Sequence, residues 1–161
     1  MKQIILFRHA KSSWELGVSD KQRTVLEEGK LQTRKVALAS KKHINADFYF
    51  ISSTATRALQ TAQIALNVWD IPVESLIIKD EYYTFNLHQL VENIKALPQN
   101  ASTVVIFGHN EAFTDFVNKY GSEFIDNVPT SGFVQIDFKI QEWNSLQKGV
   151  TTKIIFLKEI S

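Results

Sequence analysis

A three-layer α/β/α sandwich, built on a mostly parallel central sheet with an antiparallel edge, is the fold this sequence predicts. Three observations predict it. The runs Ile4-Ile5-Leu6-Phe7 and Val104-Val105-Ile106-Phe107 are short, wholly apolar and bounded by polar residues, the pattern of strands buried on both faces. Segments of helical periodicity separate the strand-like segments, and such alternation implies right-handed crossovers with helices on both faces. The last two strand-like segments, Phe133 to Ile140 and Thr152 to Leu157, are separated by the turn-like Gln147-Lys148-Gly149 and so read as an antiparallel pair at one edge.

Taken in order, the first strand runs into Arg8-His9-Ala10-Lys11-Ser12, and Ser12 to Gln22 is polar and irregular. A helix is expected from about Leu26 to Lys42, with Val25, Leu31, Val36 and Leu38 as its apolar stripe and basic residues at its negative end. Asp47 to Ile51 reads as an aromatic-rich strand, followed by Ser52-Ser53-Thr54 as natural N-cap residues. Ala55 to Val68 reads as a helix whose Ala58, Ala62, Ala65 and Leu66 share one side, ended before Ile71-Pro72. Leu76 to Lys79 is a short strand, and Asn86 to Leu97 a helix with Leu87, Leu90, Val91 and Ile94 inward. Val104 to Phe107 is the fourth strand. Glu111 to Tyr120 is a helix that Gly121 ends, and Asn127 to Gly132 reads as a loop.

At 161 residues the chain reads as a single domain over 1–161. A net charge of +1 argues against a nucleic-acid binder. With no cysteine, disulfides, thiolate zinc sites and cysteine nucleophiles drop out together. Met1-Lys2-Gln3 leads straight into a short strand, without the features of a signal peptide, and no apolar run approaches a membrane span. A cytoplasmic protein with no nucleic-acid or membrane partner is expected; oligomeric state is open.

In parallel sheets ligands bind beyond the carboxyl ends of the strands. Arg8 and His9 follow the first strand, Arg57 lies in the turn and first helical residues after the second, and Gly108-His109 follow the fourth. If those ends are neighbours, the crevice is cationic and rich in fork-shaped donors, which suits a tetrahedral dianion such as phosphate. A neutral imidazole there can attack phosphorus while the arginines neutralise the equatorial oxygens, so no metal is required. A single histidine at a strand end is more often structural; two, with arginines at matching ends, point to chemistry. His43 and His88 lack such company. A zinc site of two histidines and a carboxylate is disfavoured by the two arginines and by the absence of HxxxH or HxH spacing.

The motifs themselves resemble a known family. Phe7-Arg8-His9-Ala10-Lys11-Ser12-Ser13-Trp14 looks like the opening signature of the histidine phosphatase superfamily, with its phosphoglycerate mutase-like fold, and more specifically of its SixA-type phosphohistidine phosphatase branch. Ser52 to Ala62 resembles the second block of that branch, Val105 to Glu111 its Val-Gly-His-Asn block, and Asn127 to Gly132 its Asn-Met-Pro-Thr-Gly loop. The resemblance implies that His9 becomes phosphorylated, that Arg8, Arg57 and His109 bind the phosphoryl group, and that neither metal nor cofactor is needed. It also implies a phosphorylated substrate such as a phosphohistidine-containing protein. Small phosphoesters are the alternative, and a non-catalytic phosphate-binding module is a third reading. There are departures: Thr24-Val25-Leu26-Glu27-Glu28-Gly29 replaces the family's Pro-Leu-Thr run, and Glu111 stands where proline commonly follows asparagine. Many family members carry a carboxylic acid after the third strand. Asp80 and Glu81 are the candidates here, Glu81 being the better match, with a solvated loop residue as the competing reading.

Overall fold

The computed structural model describes residues 1–160. Its sheet has six strands: β1 (Lys2–Arg8), β2 (Tyr49–Ser52), β3 (Leu76–Ile78), β4 (Thr103–Gly108), β5 (Phe133–Phe138) and β6 (Val150–Ile155). They lie in the order β3-β2-β4-β1-β5-β6. The four strands from β3 to β1 run parallel, and β5 and β6 add antiparallel to the β1 side. Four α-helices cover the sheet: α1 (Glu27–Ser40), α2 (Thr56–Val68), α3 (Leu87–Lys95) and α4 (Ala112–Tyr120).

Alternation along the central strands divides the core in two. Ile5, Phe7, Val105 and Phe107 point to one face with residues of α1 and α2. Ile4, Leu6, Val104 and Ile106 point to the other, against Leu90, Val91 and Ile94 of α3 and Phe113, Phe116 and Val117 of α4. All eight of those strand side chains are fully buried, and a buried apolar side chain contributes about 1.5–3 kcal/mol relative to an exposed one.

The stripe expected on α1 is corrected. Leu31 and Leu38 are 59% and 68% exposed, and the buried face is Gly29, Thr33, Val36, Ala37 and Ser40. Small and hydroxylated side chains occupy it because α1 is pressed close to the chain behind it. A Cβ on Gly29 would lie 2.6 Å from the Lys11 carbonyl oxygen. Thr33 finds its partner in Ser131, hydroxyl to hydroxyl at 2.8 Å, and the Trp69 indole N–H donates to the Ala37 carbonyl at 2.8 Å. The expected capping by Ser52-Ser53-Thr54 is also corrected. Ser52 completes β2, and the N-cap position of α2 is Ala55, whose side chain makes no cap bond. The Asn86 side chain, by contrast, caps α3 by accepting the Gln89 N–H at 3.1 Å. No described helix is long and apolar enough to cross a membrane.

Candidate active site

The carboxyl ends of β1, β4 and β2 are stitched together by the backbone. The His9 N–H donates to the Gly108 carbonyl at 3.0 Å and the Ser53 N–H to the Phe107 carbonyl at 3.1 Å. Arg8, His9, Ser53 and His109 therefore meet over adjacent strands, and α2 brings Arg57 to the same place from its first turn. His9 and His109 stand with ring centroids 5.3 Å apart. Three of the four residues expected here are deeply buried: Arg57 is 2%, His9 7% and His109 1% exposed, while Arg8 is half-buried.

Segments distant in sequence hold them in place. The loop after Asn127 supports β1: Arg8 Nη1 donates to the Val128 carbonyl at 2.8 Å, and the Ser131 N–H approaches both the Arg8 and His9 carbonyls at 3.1 Å. Asn110 fastens that loop to the end of β4, donating from Nδ2 to Asn127 Oδ1 at 2.9 Å and to the Val128 carbonyl at 3.1 Å. The Ala10 N–H donates to the Thr61 hydroxyl of α2 at 2.8 Å. Thus the four sequence blocks converge, each fixing another.

The histidine tautomers follow from their partners. His9 Nδ1 lies 2.8 Å from the Ala10 carbonyl oxygen, which can only accept, so Nδ1 carries the proton and Nε2 keeps its lone pair. Desolvation is the main reason that the His9 pKa falls to about 3; the Arg57, Arg8 and Arg23 charges lower it further, against the Ala10 hydrogen bond. Desolvation, then the neighbouring His9, Arg57 and Arg8, lower His109 to about 2. Both are neutral near pH 7. The unfolded chain takes up protons on these two residues below about pH 6.5, whereas the folded chain refuses them until about pH 3. Stability is therefore complete above pH 6.5 and falls as the pH drops from there toward 3, by at most roughly 1.4 kcal/mol per pH unit for each histidine. Thermal melts between pH 8 and 4.5 are expected to show a falling Tm, with a flatter profile for a variant carrying His9→Gln and His109→Gln; identical profiles would remove the histidines as the cause.

Two arginine donors and one histidine nitrogen remain uncommitted. Of the five buried side-chain polar atoms without a partner among the described residues, three are Arg8 Nε, Arg57 Nε and His109 Nδ1. Unpartnered buried polar atoms are rare and costly, and three within one cationic cluster are a ready set of contacts for an anion. No group of three or more His, Cys, Asp or Glu side chains able to hold a metal occurs among the described residues.

Sequence reasoning missed Asp20 and Ser53. Asp20 anchors Arg57 twice, its carbonyl accepting from Nη1 at 2.6 Å and Oδ2 from Nη2 at 3.0 Å. Its carboxylate also accepts from Arg23 at 3.0 Å and from the Tyr83 hydroxyl. Partial burial pushes this carboxyl up, but the Tyr83, Arg57 and Arg23 hydrogen bonds outweigh it and hold the group well below the usual carboxylate range. The signal was the Asp20-x-x-Arg23 spacing. Ser53 Oγ lies 2.7 Å from His109 Nε2; as part of a Ser-Ser-Thr run it was indistinguishable from a cap.

Glu81 is not brought into the cluster. It is exposed and lines a small groove with Tyr49, Ile51, Lys79 and Tyr82, its carbonyl accepting from Asn93 at 2.8 Å. The residues that reach His109 from this segment are aromatic: the Tyr83 and Phe85 rings each stand edge-on to it at 5.4 Å. Asp80 is committed to Lys21 at 3.0 Å and to Thr54. Glu111 is exposed and acts on Arg8 electrostatically.

Residues 4–80, which carry the first two blocks, match the model of the histidine phosphatase superfamily, branch 1. Over those residues the chain is similar to that superfamily. Among solved structures, this chain is similar to a protein from Agrobacterium tumefaciens assigned as phosphohistidine phosphatase SixA, at 24% identity with a TM-score of 0.71, over 84% of this chain and 91% of that one. It is similar also to the protein histidine phosphatase SixA complexed with tungstate, at 18% identity and a TM-score of 0.80, over 97% of both chains. A phosphoserine phosphatase from Entamoeba histolytica in complex with 3-phosphoglyceric acid follows at 16% and 0.64, over 96% of both chains. At these identities the likeness is one of fold. The comparison with curated proteins returned no match.

Proposed function

We propose that this chain hydrolyses phosphohistidine on a protein substrate, without a metal, through a phosphorylated His9. The observation that carries the phosphoryl-binding half is that three residues gathered at the strand ends beside His9 each keep a buried nitrogen without a protein partner, Arg8 Nε, Arg57 Nε and His109 Nδ1, while His9 Nε2 keeps its lone pair. Nε2 attacks phosphorus, the bond to the leaving group breaks, and its electron pair departs with that group. Because Nδ1 of His9 already carries a proton held on the Ala10 carbonyl, the product is a phosphoimidazolium. Water then attacks phosphorus, and the P–N electron pair returns to His9 as neutral imidazole. The arginines neutralise the equatorial oxygens throughout, and the uncharged His109 adds a hydrogen bond.

The preference for phosphohistidine rests on what surrounds the leaving group. Departure of an alkoxide needs an acid at the scissile oxygen. The carboxylate bound within the cluster, Asp20, is held ionised by Tyr83, Arg57 and Arg23, and Glu81 lines another groove. A phosphohistidine substrate needs no such acid, since solvent can protonate its far ring nitrogen and it leaves as neutral imidazole. The likeness to a SixA protein that holds tungstate, a tetrahedral oxyanion, supports the same reading.

Two measurements test it. Incubation with a phosphohistidine protein, acetyl phosphate and alkyl phosphates, each labelled, is expected to leave acid-labile label on His9, with fastest turnover of the phosphohistidine donor. No label from any donor on folded protein would overturn the covalent route, and faster alkyl phosphate hydrolysis would overturn the preference. Glu81→Gln is expected to leave turnover of every donor within about twofold, as for a surface substitution away from the site; a tenfold loss confined to alkyl phosphates would restore Glu81 as the acid.

A further inference from the structure

We propose that Ser53 is a positioning residue that fixes His109 in the tautomer with its proton on Nδ1. Ser53 is fully buried, so solvent does not decide where its hydroxyl points. Its Oγ has two neighbours. One is the Ala55 backbone N–H at 3.2 Å, which can only donate, so Oγ accepts from it. The other is His109 Nε2 at 2.7 Å. With the Ala55 hydrogen already directed at Oγ, the hydroxyl hydrogen has one acceptor within reach, the Nε2 lone pair. A neutral imidazole that accepts at Nε2 donates at Nδ1.

The consequence falls on the atom that lacks a protein partner, His109 Nδ1. In this tautomer it presents an N–H to the anion; in the other it would turn a lone pair toward a dianion. The relay from Ala55 through Ser53 to His109 thus makes a donor of His109 without giving it a charge. The structural part of this inference stands on hydrogen-bond geometry alone; its bearing on phosphoryl binding rests on the function proposed above.

Long-range proton–nitrogen correlation spectra of the full, nitrogen-15-labelled chain at pH 7 read the tautomer directly. The expected pattern for His109 is a protonated Nδ1 and an unprotonated Nε2; the reverse pattern overturns the proposal whatever the enzyme's activity. Ser53→Ala is then expected to mix the two tautomers and to weaken binding of inorganic phosphate about 10-fold, by analogy with the low end of the loss when a partner orienting a metal-ligating histidine is removed, while Ser53→Thr restores both. A Ser53→Ala protein that keeps the wild-type tautomer and phosphate affinity also overturns it. If Ser53→Ala does not fold, the wild-type spectrum still decides. Neither readout depends on turnover, so failure of the covalent route through His9 would be seen separately.

Discussion

His9→Ala is expected to lower turnover of every phosphodonor by about 10³-fold or more, the scale of loss when an enzyme's nucleophile is removed, and to abolish acid-labile label on the chain. Inorganic phosphate should still bind, because Arg8, Arg57 and His109 contribute their donors independently of the His9 ring. That pair of results separates the function proposed here from a phosphate-binding module, in which the wild-type chain itself would bind without turnover. The substitution leaves the backbone support intact: the His9 N–H bond to Gly108 and the Ser131 N–H to the His9 carbonyl involve no side-chain atom of His9. A melting temperature near that of the wild type would therefore accompany the loss. Residual turnover above about a tenth of the wild-type rate would remove His9 as the nucleophile.

The second large effect is expected from Arg57. Its guanidinium is 2% exposed and bound twice by Asp20, through the carbonyl at 2.6 Å and the carboxylate at 3.0 Å. Those two bonds orient the planar group and leave its remaining N–H donors, Nε among them, without a protein partner. Arg57→Ala removes a preorganised donor and a positive charge from the place where negative charge develops, a loss of roughly 10²–10³ in kcat. Arg57→Lys is expected to recover little, because an ammonium on a flexible stem cannot hold Asp20 with two nitrogens while presenting a third. Steady-state kinetics checks both, and a lysine variant within threefold of wild type would reduce Arg57 to a generic positive charge.

How far the residues alone carried this picture depends on the range of the interaction. β1 and β4 were legible because a strand buried on both faces is apolar without interruption, and α2 because Ala58, Ala62 and Ala65 repeat on one side. Arg8, His9, Arg57 and His109 were legible because each ends or follows such a segment. α1 was misread at Leu31 and Leu38 because its packing is set by how closely its backbone approaches Lys11 and by a hydroxyl pair between Thr33 and Ser131, 98 positions apart. A stripe count sees neither. The Asp20 contact to Arg57, across 37 positions, comes from a polar irregular segment with no periodicity to mark it. Ser53 was visible but misassigned, since a hydroxyl before a helix has two possible partners and the winner, His109, stands 56 residues away. Glu81 shows the converse failure: matching by position put an acid near the crevice, while the turn at Asp80 to Tyr82 delivers Tyr83 to His109 instead.

β1 lies between β4 and β5, with hydrogen-bonded neighbours on both sides, and it ends at Arg8, one residue before His9. Opening the chain there requires breaking the pairings of β1 with both β4 and β5. The amides of Phe7 and His9 should then exchange with solvent only through unfolding of the whole molecule. On heating, the backbone that carries His9 should then lose its order together with the sheet, whereas the Asp20 anchor on Arg57, in a partly exposed turn, is free to open earlier.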